Sequence, residues 1–310
     1  MNTCFITGGA GFIAWHLTKK LLDLGYRVIS IDKKQGRNLY FDNPNYIFIC
    51  LDINSCDYDY IFDNYNIDIV FHLAANSDIK LSQPDIELND TFLTTYRLLE
   101  TCRKKRINKF VFASSSAING IFRDGNIIEK INMPISFYGS AKLASEAFIS
   151  AYSYYYDLMA YILRFPNVVG GYATHGILFD LIKQIKNNPN ELIVLGNGSQ
   201  NKPYMHVSDL VDALLYILDN SYYQLNIYNI STEGRCTVGE IARKIINKYN
   251  RLFFKNIEIT YTSSEPYGWK GDCPGYYLDY KPLGDLGWKG AKYNCEAAID
   301  KAIEEIWQEY

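Results

Sequence analysis

The sequence predicts an α/β protein, a doubly wound parallel sheet carrying a smaller C-terminal α/β lobe. Three observations predict it. Short β-branched runs alternate with helical patterns through the first half of the 310 residues. The strand segments are nearly continuous apolar runs, as expected where helices cover both faces of a sheet. The regular alternation then stops after Pro166, and longer helical stretches follow.

The elements run in order. "TCFIT" is a strand, and "AWHLTKKLLDLG" is a helix ending at Gly25. "YRVISID", "NYIFICLD" and "IDIVFHLAA" are the next three strands. "TFLTTYRLLETCRKK" is a helix, "KFVFASSS" a fifth strand, and the segment holding Tyr138 and Lys142 the next helix. "LMAYILRFP" is a sixth strand. Beyond it, "ILFDLIKQIKNN", "VSDLVDALLYILDN", "TVGEIARKIINKYN" and "CEAAIDKAIEEIWQEY" read as helices, and "LNIYNIS" and "NIEITYT" as strands. The chain is expected to cross between two lobes more than once, with residues 1–165 and 206–231 in one and 166–205 and 232–310 in the other.

Composition narrows the function. Hydrophobic residues make up 48% and charged residues 21%, enough for a packed core. A net charge of −3 argues against nucleic acid or an anionic membrane as partner. No basic stretch followed by a long apolar run opens the chain, and no run approaches about 18 apolar residues, so neither a signal peptide nor a membrane span is expected. The seven cysteines are scattered without a CxxC and read as reduced thiols of a cytoplasmic protein. The four histidines do not cluster with cysteines or carboxylates at ligand spacing, so no metal is expected.

The first strand runs directly into Gly8-Gly9-Ala10-Gly11-Phe12-Ile13-Ala14. Small residues at 8, 11 and 14 suit a tight turn, a close approach of backbone to a pyrophosphate, and close packing of helix on strand. The helix N-terminus, opened by Phe12 and Ile13, then aims amides at phosphates. Asp32 ends the second strand 21 residues beyond Gly11, placed to accept hydrogen bonds from ribose hydroxyls and to repel a 2′-phosphate. Lys33 and Lys34 follow it and temper that preference. Strand, turn, helix, strand and acid together predict a Rossmann-type domain that binds NAD in preference to NADP.

"SFYGSAKLASEA" places Tyr138 and Lys142 four residues apart, on one face of a helix. With 27 tyrosines in the chain, that spacing alone does not distinguish an acid–base pair from a snorkelling lysine.

The motifs taken together resemble those of the extended short-chain dehydrogenase/reductase family, and within it the nucleotide-sugar epimerases and dehydratases. "TGGAGFIA" resembles its glycine turn, and Asp52-Ile53 its adenine-contacting pair. "HLAAN" (72–76) resembles its strand beside the nicotinamide ribose, and "FASSSAING" (112–120) the strand carrying a catalytic Ser or Thr. "YGSAK" (138–142) is similar to its Tyr-x-x-x-Lys. "RFPNVVG" (164–170) and "KPYMHVSDL" (202–210) resemble its segments beside the sugar diphosphate. The resemblance implies NAD contacts from Gly8, Gly11, Phe12, Ile13, Asp32, Asp52, Ile53, Leu73, Ala74, Ala75, Tyr138, Lys142 and Pro166. It implies substrate contacts from Asn76, Ser115, Ser116, Asn167, Lys202 and Lys270.

It also implies hydride transfer between a sugar carbon and the nicotinamide. Tyr138 would be the base, Lys142 the cation that favours its phenolate, and Ser115 the second group on the same sugar oxygen. Ser115 follows from counting back from Gly120 against the family pattern, with Ser114 and Ser116 as close rivals. Departures narrow the reaction. Dehydrating relatives carry an acidic pair where this chain has Ser116-Ala117, which argues against a 4,6-dehydratase. No cysteine lies between 103 and 235, which argues against the relatives that epimerise with a cysteine near this strand. Lys202 stands where the family has a phosphate-binding arginine, and "YGWKGDCP" (267–274) lacks another.

These readings favour an NAD-dependent nucleotide-sugar 4-epimerase working through a 4-keto sugar. A 4-dehydrogenase or 4-keto reductase needs the same residues, and a catalytically silent NAD-binding regulator is the reading from another class. By resemblance, a homodimer is expected to form through the helix carrying Tyr138 and its neighbour.

Overall fold

The computed structural model describes residues 2–36, 40–76, 83–120, 132–253 and 257–309. The elements of the first half are β1 (Thr3–Thr7), α1 (Phe12–Asp23), β2 (Arg27–Asp32), β3 (Tyr46–Cys50), α2 (Tyr58–Asn64), β4 (Ile69–His72), α3 (Pro84–Glu87), α4 (Thr94–Lys105), β5 (Lys109–Ser115), α5 (Phe137–Tyr156) and β6 (Met159–Phe165). The second half adds β7 (Asn167–Val169), α6 (Ile177–Asn187), β8 (Glu191–Val194), β9 (Asn201–Lys202), β10 (Tyr204–His206), α7 (Val207–Asn220), β11 (Leu225–Asn229), β12 (Cys236–Thr237), α8 (Val238–Phe253), β13 (Glu258–Tyr261), α9 (Lys281–Asp285) and α10 (Cys295–Glu309).

Seven strands form one sheet in the order β3-β2-β1-β4-β5-β6-β11, and every pair is parallel. The order reverses between β1 and β4, which opens a crevice at the C-terminal ends of the strands. Alternate residues face opposite layers. Phe5, Ile29, Val70, Phe110 and Ile162 pack on one side. Cys4, Ile6, Val28, Phe71, Val111 and Leu163 pack on the other. Each such buried side chain contributes about 1.5–3 kcal/mol. A third apolar cluster joins α6, α8 and α10 through Leu178, Ile182, Ile241, Ile245, Ile299 and Ile303, and forms the smaller lobe. Among the described residues no helix is long and apolar enough to cross a membrane.

Local chemistry sets the helix ends. Asp57 caps α2 through the Tyr60 amide, and Ser136 caps α5 through the Gly139 amide at 3.1 Å. The sequence reading did not anticipate α2, α3 or α9, each of seven residues or fewer. The helix predicted at "TFLTTYRLLETCRKK" opens in a π-helical turn over Leu88–Leu93. Hydroxyls of Thr94 and Thr95 bond back to the carbonyls of Asp90 and Thr91 there, at 2.9 and 2.7 Å, competing with the regular helical ladder.

Glu305 of α10 ties that helix to the segment after β7 and to the end of β10. Its carboxylate accepts from the Gly171 amide at 2.9 Å, meets His206 Nε2 at 2.9 Å and pairs with Lys301 at 2.6 Å. Burial opposes its ionisation, but these partners outweigh it and hold the carboxyl down at about 2. The stabilisation is therefore complete above the ordinary value of 4.5 and is lost as pH falls toward about 2. Glu305→Gln should cost about 1–3 kcal/mol above that range, with the difference shrinking on acidification. Denaturant unfolding of both proteins across pH checks this, and a pH-independent difference refutes it.

Candidate active site

The β1–α1 turn leaves no room for side chains. Gly8 has φ +71°, and a Cβ there would lie 3.0 Å from the backbone N and Cα of Ala74. A Cβ on Gly9 would lie 2.5 Å from Cβ of Ser30. The Gly11 amide closes the turn on the Gly8 carbonyl at 2.9 Å. Helix α1 starts with Phe12 and Ile13, with no side-chain cap and no acid in its first turn. Its first amides therefore keep their affinity for an anion. Asp32 reaches back over the turn, accepting from the Ala10 amide at 3.2 Å and the Lys34 amide at 3.1 Å. Asp52 accepts from the Asn54 amide at 2.8 Å just beyond β3, with Ile53 between them. Leu73, Ala74, Ala75 and Asn76 leave β4 toward the same crevice. A cradle without space for a Cβ, an uncapped helix and a carboxylate at the end of β2 fit a dinucleotide.

The floor beneath the crevice is polar and closed. His72 Nδ1 meets the Thr7 hydroxyl at 2.7 Å, and its Nε2 meets the Thr95 hydroxyl at 3.0 Å. Burial, and then the Lys142 charge, push His72 down to about 3, so the ring is neutral.

Strand β5 and helix α5 bring the predicted triad together. The Ser115 side chain faces that of Tyr138 and favours its phenolate. The Lys142 side chain is 1% exposed and donates to the Ala113 carbonyl at 2.6 Å. Its ammonium lies 4.6 Å from the centre of the Phe112 ring and 5.8 Å from that of Tyr138. Burial pulls Lys142 down to about 7, against the opposing charges of Glu87 and Glu146. Burial pushes Tyr138 up to about 12, which the Ser115 hydrogen bond opposes and the Glu87 charge reinforces.

The three neighbouring serines have different partners. Ser114 is buried and donates to Glu146, while Ser116 faces the Tyr276 hydroxyl. Ser115, capping the short 3-10 turn over Ser116–Asn119, is the one that meets Tyr138.

The other candidates fall into two groups. Asn167 lies on β7, just after Pro166, and both its amide and its side-chain nitrogen donate to the Tyr276 hydroxyl, at 3.1 and 3.2 Å. Lys202 is largely buried and paired with Asp272 at 2.6 Å, its ammonium 5.6 Å from the Trp269 ring. Asp272 also accepts from the Gly268 amide, which ties the "YGWKGDCP" loop to β9. Lys270 is exposed. Asn76 donates to Glu87 at 2.9 Å, and Glu87, 1% exposed, also accepts from the Thr91 hydroxyl at 3.0 Å.

Sequence reasoning missed Glu87 and Tyr276, which sit in no motif it recognised. It also missed Cys273, which lies far along the chain yet places its thiol 3.8 Å from the Gly120 carbonyl. The absence of cysteine between 103 and 235 therefore does not keep a thiol away from β5. Burial raises that thiol, so it is neutral and unsuited to act as a base. Among the described residues no cluster of three metal-ligating side chains occurs.

A parallel sheet of this order, with its glycine turn at the reversal, is the architecture of dinucleotide-binding α/β proteins. The chain belongs to the NAD dependent epimerase/dehydratase family, whose signature matches residues 4–231, and so to the extended short-chain dehydrogenase/reductases. It is 31% identical over 297 residues to a putative UDP-glucose 4-epimerase of Methanocaldococcus jannaschii, covering 92% of both chains. It is 28% identical to the dTDP-D-glucose 4,6-dehydratase of Bos taurus, over 96% of this chain and 87% of that one. A crystal structure of UDP-galactose 4-epimerase superposes with a TM-score of 0.84 at 30% identity, covering 99% of each chain.

Replacing Asp32 by Ala should weaken NAD binding about tenfold, the scale of a charged hydrogen bond, and narrow the preference over NADP. Calorimetric titration with both cofactors checks this. A wild-type protein that prefers NADP contradicts the role given to Asp32.

Proposed function

We propose that the protein is a nucleotide-sugar 4-epimerase that works by hydride transfer at sugar C4 through a 4-keto sugar. The observation that carries this reading is the buried Lys142, its ammonium 5.8 Å from the Tyr138 ring with Ser115 facing the same tyrosine, beside a Ser116-Ala117 pair that offers no carboxylate. Bound NAD supplies the hydride acceptor and, once reduced, the donor. Tyr138 takes the proton of the C4 hydroxyl as hydride leaves C4, and returns it when hydride comes back to the other face. Lys142 supports the phenolate, and Ser115 holds the same oxygen in line. A 4,6-elimination needs groups that move protons at C5 and C6. Ser116 carries no carboxylate and faces Tyr276, and Ala117 has only a methyl group.

Residues 1–165 and 206–231 are assigned NAD, through the glycine turn, Asp32, Asp52 and the Leu73–Ala75 segment, with Asn76 turned to the substrate. Residues 166–205 and 232–310 are assigned the nucleotide, with Asn167, Lys202 and Lys270 toward the diphosphate. The UDP-sugar names of the similar epimerases make a UDP-hexose the first candidate substrate.

Denaturing the purified protein and identifying the released cofactor, then incubating native protein with UDP-, GDP- and dTDP-hexoses, tests the reading. The expected result is interconversion of C4 isomers without net NADH. Accumulating NADH with a 4-keto product means a dehydrogenase, and a 4-keto-6-deoxy product means a dehydratase. Tyr138→Phe should keep NAD binding and lose at least about 10²-fold in turnover. Unchanged turnover removes Tyr138 from the role of base.

We also propose a homodimer through α4 and α5. Phe92 and Phe148 meet edge-on at 5.0 Å, and Tyr96, Phe137 and Phe148 leave an exposed apolar stripe on this pair of helices and its flanks. Phe148→Glu should convert a dimer into a monomer in sedimentation velocity. A wild-type monomer refutes the proposal.

A further inference from the structure

Helix α5 repeats its inward face once more beyond Lys142, at Glu146. Tyr138, Lys142 and Glu146 stand at i, i+4 and i+8, one above another. Each has a partner on β5. Tyr138 meets the Ser115 hydroxyl, Lys142 the Ala113 carbonyl, and Glu146 the Ser114 hydroxyl. Glu146 has a further partner on β6. Arg164 of β6, in register with Ser114, binds it in a fork, Nε to Oε1 at 3.0 Å and Nη2 to Oε2 at 2.7 Å. The carboxylate is 6% exposed and the guanidinium 18%. A bidentate pair of this kind fixes direction as well as distance.

We propose that Glu146 is a positioning residue: with Ser114 and Arg164 it locks the register of α5 on β5 and β6, and so fixes how the Tyr138 and Ser115 hydroxyls meet. The proposal rests on the assignment of Ser115, Tyr138 and Lys142 made above. Glu146 does not touch the reacting oxygen; it acts through the helix and the strand end. It also faces Lys142 one turn away and favours its charged form, as Glu87 does from α3, while the neutral His72 of β4 adds no charge. Loss of Glu146 should thus move both the placement of the hydroxyls and the protonation of Lys142.

Two measurements test this. The first follows the lysine side chains of 13C-lysine-labelled, NAD-loaded protein by NMR across pH, with Lys142→Arg identifying the Lys142 signal. E146Q should lower the Lys142 midpoint by about one unit, the scale of one nearby charge, and E146D should largely keep it. This readout needs no sugar, so its failure is separate from failure of the proposed reaction. The second is turnover of the accepted nucleotide sugar. E146Q and E146D should lose kcat by up to about 10²-fold with KM and NAD affinity nearly unchanged, as a misplacement would. Ser114→Ala, which keeps the ion pair and should fold even if E146Q does not, should lower kcat about tenfold with the Lys142 midpoint unmoved. An unmoved Lys142 midpoint in E146Q, or kcat within twofold of wild type in Ser114→Ala, overturns the proposal.

Discussion

The burial of the Lys142 ammonium constrains everything around it. Removing such a charge from water costs several kcal/mol unless it is hydrogen-bonded and paired. The Ala113 carbonyl, the Phe112 ring face and the fields of Glu87 and Glu146 provide that compensation together. They are available only if α5 lies close on the end of β5. Small residues permit this approach. A Cβ on Gly139 would fall 2.4 Å from the Ala117 carbonyl oxygen, so the helix start can touch the turn after β5 only with glycine there. Tyr138, beside Gly139, is thereby brought to Ser115. One buried cation dictates the spacing of a helix, and that spacing sets the geometry of the hydroxyls.

The same economy of space shapes the neighbouring crevice. Gly8 and Gly9 let the turn lie against Ala74 and Ser30, and the uncapped start of α1 leaves amides for an anion. The Thr7–His72–Thr95 chain ties β1, β4 and α4 under the crevice without adding charge, because His72 stays neutral. The electrostatics of the site are therefore left to a few groups: the helix terminus, Asp32, Lys142 and the two buried glutamates.

Local constraints made much of this legible in the sequence. The glycine turn, the acid at residue 32 and the four-residue Tyr–Lys spacing are short-range patterns, and backbone sterics and helical period translate them directly into geometry. The six strands read from the first half are all present in the parallel sheet. What escaped is long-range. Tyr276 reaches Asn167 from the far end of the chain, and Cys273 reaches Gly120 the same way. Lys202 reads in sequence as a free point charge for a diphosphate, yet its partner Asp272 comes from a loop beyond β13. Glu87 escaped for another reason. It lies in a four-residue helix before a π-helical turn, where neither the helical nor the strand period announces an inward face.

Charge also gives the proposed cycle a direction. Burial holds Tyr138 up at about 12, so it is neutral by itself, and brings Lys142 down to about 7, against the charges of Glu87 and Glu146 that favour the ammonium. A phenolate forms only if positive charge is nearby, and each adjacent cation lowers such a pKa by about 1–3 units. The protonated lysine is one source, and an oxidised nicotinamide is a second. Both favour the base when hydride has to leave the sugar. A bound nicotinamide would supply that charge only when oxidised, so in the proposed cycle Tyr138 would regain its proton affinity after hydride transfer. In that proposed cycle Tyr138 would then be the acid for hydride return. A single tyrosine could thus serve both halves of the proposed epimerisation, because the charge beside it would change when the sugar does. The glutamates set where this balance lies. Glu87 raises both pKa values, favouring the charged Lys142 while opposing the phenolate, so the proposed deprotonation of Tyr138 would depend on the positive charge an oxidised nicotinamide would bring.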